Sequence, residues 1–183
     1  MVFGKGISDL NSELPSYGQW YSIMRRSYSA VWHKQKPTYI GVQVGSKWWT
    51  HSNFDAWYQE NNIEGWELDK DLLAPELRMY SEDTCVYLPG IINTALTEKK
   101  DVNGLPFGVS YKTANKKYVA QLSVHTPQGR TTKHLLIDAD PMKCFEVYAA
   151  AKRKYVQGLA EEYKSKLHPK AYNKLVNFEV KLK

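Results

Sequence analysis

The chain has 183 residues, 43% of them hydrophobic, which is enough for one compact domain or two small ones with a real core. Its net charge is +6, unevenly placed: residues 1–100 carry 10 basic and 12 acidic side chains, and residues 101–183 carry 15 and 7. No apolar run reaches the length of a membrane span and Met1 is not followed by a basic region and a hydrophobic run, so neither a membrane-spanning helix nor a signal peptide is expected, and a cytoplasmic protein is.

Residues 1–14 are rich in Gly, Ser and Asn and read as an irregular arm. Trp20, Ile23, Met24 and Tyr28 fall at helical spacing within Tyr17–Tyr28. After a connector with Pro37, Thr38–Val44 reads as extended. Residues 48–60 read as a second helix, capped by Ser52 or Asn53, with Phe54, Trp57 and Tyr58 on its apolar face. Short strands follow at 66–73 and Val86–Leu88, with a turn at Ser81–Thr84 and a short helix from Ile91 to Leu96. The polar stretch 98–104 marks the expected boundary between modules 1–100 and 101–183.

Beyond it lie three strands, Phe107–Lys112, Tyr118–Val124 and Arg130–Leu136, joined by turns at Thr113–Lys117 and Pro127–Gly129. Asp138 or Asp140 caps a helix with Pro141 in its first turn, running to about Tyr163. Phe145, Tyr148, Ala149, Lys152, Val156 and Leu159 form its inner face, and a last helix occupies Pro169–Val176. The fold class expected is α+β, with a three-stranded antiparallel sheet packed on one long helix in the second module.

Alternation along the second strand puts Tyr118, Ala120, Leu122 and Val124 toward that helix and Val119, Gln121 and Ser123 outward. With Tyr111, Lys112, Lys116, Lys117, Arg130, Thr132 and Lys133, the outward residues make a basic, amide-bearing face suited to duplex DNA. Lys and Arg would hold phosphates, and Gln121 and Arg130 would read base edges. His125 and His134 are weaker phosphate candidates. The plain alternative is a solvated sheet face whose charges only keep the protein dispersed. Aromatic richness, 6 Trp and 13 Tyr, divides in the same way between core and base stacking.

The segments FGVSYKTANKKYVAQLSV and KHLLIDADPMKCFEVYAAAKRKY resemble the AP-two (apetala-type) DNA-binding domain. The likeness rests on Gly108-Val109, Tyr118-Val119-Ala120, and Tyr148, Ala149 and Ala151. It departs in the third strand, where Leu135-Leu136-Ile137 replaces the usual Gly before an aromatic. The first module resembles bacteriophage proteins related to HNH homing-type endonucleases, through Trp20, Met24, Arg26 and Tyr28, then PTYIGVQV (37–44), Phe54 with Trp57, LDKD (68–71) and YSEDTCVYLPGIIN (80–93). That resemblance implies a candidate catalytic set of Asp69, Lys70, Asp71 and Asn93, with Asp69 and Asp71 as oxygen ligands for magnesium. Lys70 stands where the family has its general-base histidine, and an ammonium cannot accept a proton, so a degenerate site is expected. A salt-bridged turn at Asp69–Asp71 is the plain alternative.

Cys85 and Cys144 have no CxxC partners and read as buried thiols in a reducing compartment. His51 and His33 read as surface or cap residues. The functional expectation is a phage DNA-binding protein derived from a homing-type endonuclease, with double-stranded DNA as partner. The alternatives are an active magnesium-dependent nicking enzyme and a phage antagonist that binds a host protein through its aromatic first module.

Overall fold

The computed structural model of the protein describes residues 1–97, 104–126 and 129–182, with the Thr126 side chain left out. The stretch 98–103 and the turn residues 127–128 named above lie outside the described residues. The chain divides into two compact units, Met1–Leu88 and Pro89–Lys183. Sequence alone puts the division near 98–104. It falls earlier because the short helix after Leu88 packs on the long helix of the second unit.

In the first unit Pro15 starts helix α1 (Pro15–Tyr28), since its fixed φ and missing amide cost nothing in a first turn. Trp20, Ile23 and Met24 point from it into an aromatic core with Val42, Val44, Trp48, Phe54, Tyr80 and Cys85. The Trp20 indole donates to the Trp48 carbonyl at 2.8 Å, and the Phe54 ring meets Trp48 edge-on. Trp20 thus buries its ring while its polar tip reaches a backbone acceptor, whereas the Trp48 Nε1 is buried without a hydrogen-bond partner. Helix α2 (Ala30–Gln35) follows directly, its first turn closed by the Ser29 hydroxyl.

The extended run expected over Thr38–Val44 is mostly absent. Pro37–Tyr39 forms a 3-10 turn, Gly41 takes a left-handed backbone with φ of +83°, and only β1 (Gln43–Val44) remains. It pairs in parallel with β3 (Met79–Tyr80). The Tyr28 hydroxyl accepts from the Val44 amide and donates to the Val44 carbonyl, holding the strand to α1. Helix α3 (His51–Asn61) starts before the expected Ser52 or Asn53 cap. Its cap comes from the arm: the Asp9 carboxylate accepts from the Ser52 amide at 2.9 Å and hydroxyl at 2.6 Å. Strand β2 (Trp66–Asp69) pairs with β4 (Val86–Pro89).

In the second unit α4 (Gly90–Leu96) precedes a three-stranded sheet of β5 (Val109–Lys112), β6 (Lys117–Thr126) and β7 (Gly129–Asp138). The strands are antiparallel in the order β5-β6-β7, as expected. Helix α5 (Pro141–Tyr163) covers one face, capped by Asp140, whose carboxylate accepts from the Met142 amide at 2.8 Å. Ala120, Leu122 and Val124 pack there on Cys144, Phe145 and Tyr148. The Tyr155 hydroxyl accepts from the His125 amide and ties the far end of β6 to the helix. Helix α6 (Pro169–Val176) packs on α5. Both cysteines are buried free thiols. Among the described residues, no helix is long and apolar enough to cross a membrane.

Candidate nucleic-acid interface

Residues opposite each other in an antiparallel pair share a face, so register sorts the candidate residues. On β6, Lys117, Gln121, Ser123 and His125 lie on the face away from α5. Their partners are Lys112, His134, Thr132 and Arg130 respectively. Ser110 joins them opposite Val119. The outward face therefore gathers Lys112, Lys117, Gln121, Ser123, Arg130 and Thr132 from the expected set, and adds Ser110, His125 and His134.

Two expected members are on the other side. Tyr111 pairs with Tyr118 and Lys133 pairs with Leu122, and both partners face the helix. The Tyr111 and Tyr118 rings lie 5.2 Å apart, which fixes Tyr111 on the helix side. Tyr111 and Lys133 are nonetheless exposed, and both stand on edge strands of the sheet, β5 and β7. Lys116 belongs to neither face. It sits in the 113–116 turn with φ of +53°, its side chain exposed. Val119, expected outward and open, has no exposed surface at all. The open part of the face thus falls in two patches on either side of Val119, Lys112 with Lys117 at one end and Gln121 to the β6–β7 hairpin at the other.

A β-bulge shapes that face. Ala120 pairs with Leu136 but Gln121 pairs with His134, so Leu135 is the extra residue. Both Leu135 and Leu136 then pack against the helix cluster, and Ile137 turns outward, half-exposed. The bulge raises local twist and re-aims β7 beside Gln121.

The outward polar groups are held by one another. Gln121 donates to the Ser110 hydroxyl at 2.5 Å, Arg130 donates to the Ser123 hydroxyl at 3.2 Å, and Ser123 and Thr132 hydroxyls lie 3.0 Å apart. These bonds order the side chains yet leave most of the Arg130 donors open. Among the described residues on this face no acidic side chain occurs; Asp138 pairs with Tyr118 on the helix side. The result is a cationic surface with no internal counter-charge.

The second candidate set is built differently. One Asp69 carboxylate oxygen accepts from the amides of Asp71 at 3.0 Å and Leu72 at 2.7 Å, closing the turn after β2. Burial pushes the Asp69 carboxyl above the ordinary aspartate value. Lys70 donates to the Asp71 carboxylate at 2.5 Å. Each residue of the motif therefore has a turn-building partner. Asn93 lies on α4 in the other unit. Among the described residues, no group of three or more His, Cys, Asp or Glu side chains converges to hold a metal ion.

Composition and spacing did not reveal a buried network in the first unit. His51, expected at the surface, is fully buried, and so is Ser16. Ser16 donates to Asp55 at 2.5 Å and faces the His51 Nε2 at 3.0 Å. A serine whose hydrogen goes to aspartate must accept from the histidine, so His51 cannot act as its base. The arrangement is structural and not a nucleophile triad. His33 is also placed inside a helix, α2, where it meets the Arg26 carbonyl.

Comparison with known proteins returns no matching family, no matching curated protein and no matching solved structure.

Proposed function

We propose that this chain binds double-stranded DNA through the outward face of the β5-β6-β7 sheet. The observation supporting this reading is the register that aligns Lys112, Lys117 and Arg130 with Gln121, Ser123, Thr132 and His134, with no acidic side chain on that face among the described residues. Lys112 and Lys117, paired at one end, neutralise phosphates; Arg130, at the other, adds a forked donor. Gln121 and Thr132 between them carry the amide and hydroxyl that base edges need. The bulge at Leu135 keeps the face twisted, as a sheet following a groove must be. On this reading the second unit is AP-two-like, the first unit is a degenerate HNH-like support, and the protein acts in the cytoplasm of a phage-infected host cell, where its buried thiols stay reduced.

The test is fluorescence anisotropy of a labelled duplex titrated from about 50 to about 200 mM salt. Lys117→Ala and Arg130→Ala each weaken binding, and each lowers the log–log salt slope by about 0.9. Unchanged affinity and slope in both variants overturn the proposal. Adding magnesium and a supercoiled plasmid tests for cleavage: metal-dependent nicks abolished by Asp71→Ala would move the function to a nicking enzyme.

A further inference from the structure

The first unit carries a polar cleft of about 340 Å³ lined by Thr38, Tyr39, Val42, Lys70, Asp71, Pro75 and Arg78. That volume is at the low end for small-molecule sites, which span roughly 300–1,000 Å³.

Two cations from separate segments line it, Arg78 and Lys70, and a third, Arg26, stands behind its Tyr39 wall. Arg78 comes from the residue before β3, with a left-handed backbone at φ of +47°. A non-glycine residue held there carries strain, the kind found where a side chain must be aimed. Its Nη2 donates to the Thr38 and Ile40 carbonyls at 2.7 and 3.0 Å, which pins the guanidinium across the 38–40 turn and leaves its other donors free of these carbonyls. Lys70 comes from the turn after β2, its side chain only 11% exposed and its ammonium 5.6 Å from the Tyr80 ring centre. Arg26 comes from α1. Its guanidinium lies 5.8 Å from the centre of the Tyr39 ring that lines the cleft, and its Nε is buried without a hydrogen-bond partner.

In the lining itself two cations, Lys70 and Arg78, face one carboxylate, Asp71. Asp71 is more than half exposed and pairs with Lys70, and Asp69 is bound up in its turn. Glu67 faces Arg26.

We propose that this cleft is an anion site for a phosphate group borne on a nucleotide-sized ligand, with Lys70 and Arg78 as the direct donors and Tyr39 as an aromatic wall. A phosphate oxygen would replace the Asp71 carboxylate on Lys70 and draw on the free Arg78 donors, a charge-assisted pairing. The Tyr39 ring offers a face for a base. This inference does not rest on the sheet-face reading.

The test is amide NMR of the full chain at constant ionic strength. The probes are inorganic phosphate, a nucleoside 5′-monophosphate and the matching unphosphorylated nucleoside. Saturable shifts confined to residues 38–42, 70–72 and 78–80, at about 1 mM phosphate or below, are expected. Lys70→Gln, which removes a donor bonded only to Asp71, should weaken binding by about tenfold. Arg78→Gln should do the same, and Lys70→Gln stands alone if the 38–40 turn fails to form without Arg78. Equal affinity for phosphate and nucleotide assigns recognition to the phosphate alone; tighter nucleotide binding adds the base on Tyr39. No saturation by about 10 mM phosphate, or equal binding of the unphosphorylated nucleoside, overturns the proposal.

Discussion

Gly108 lies in a left-handed conformation, φ of +75°, with its α-carbon against the Tyr148 ring, where an added Cβ would overlap the ring carbons. Two costs therefore add in Gly108→Ala: the left-handed backbone, about 1–2 kcal/mol, and overpacking, about 1–3 kcal/mol. Urea unfolding of the second unit should register a loss of about 3 kcal/mol. Lys116 offers the opposite case. It holds φ of +53° with an exposed side chain, so Lys116→Gly should raise hairpin stability by up to about 1 kcal/mol while removing one cation. The first unit has its own sensitive residue. Burial holds the His51 imidazole below its ordinary value, against the pull of Asp55 and Asp9. The folded protein keeps that ring neutral where the unfolded chain takes up a proton, below about pH 6.5. Stability from His51 is whole above that pH and is lost as the pH falls toward the folded value. The urea midpoint of the wild type should drop between about pH 7.5 and about pH 5.5, and His51→Leu should flatten that dependence.

Most elements were legible because their signals are local. Pro141 and Pro169 each begin a helix where expected, α1 starts at Pro15, ahead of the expected Tyr17, and alternation from Tyr118 to Val124 gave the helix-facing side of β6. What sequence missed depends on distant partners. The cap of α3 is Asp9, far back in the arm, and nothing near Ser52 announces it. The run Thr38–Val44 has strand-like residues, yet Pro37 and Gly41 dictate a turn. The candidate DNA face was half readable. Counting by twos placed Gln121, Ser123, Arg130 and Thr132 together, but treated Tyr111 and Lys133 as their companions. Register puts both opposite helix-facing residues. The bulge did have a signal: Leu135-Leu136-Ile137 is three apolar residues in a row, which a two-faced strand cannot place by simple alternation. The burial of Val119 had none, since its neighbours in sequence give no hint of what encloses it.

Across the whole molecule, charge and aromatic residues divide in opposite directions. Residues 101–183 hold a net charge of +8, while the aromatic core around Trp20, Trp48 and Phe54 belongs to the first unit. A strongly basic balance creates a field that draws polyanions, but it does not select a surface. Selection by the sheet face makes a periodic demand. Arg130 and Thr132 point outward on β7, Thr131 and Lys133 do not, and all four are exposed, so an added carboxylate need not be buried at any of them. The decisive measurement is duplex DNA affinity for Arg130→Glu, Thr131→Glu, Thr132→Glu and Lys133→Glu in turn. The account predicts large losses at 130 and 132 and small ones at 131 and 133. Losses that ignore this alternation, or that track only the charge removed at Arg130 and Lys133, would contradict it.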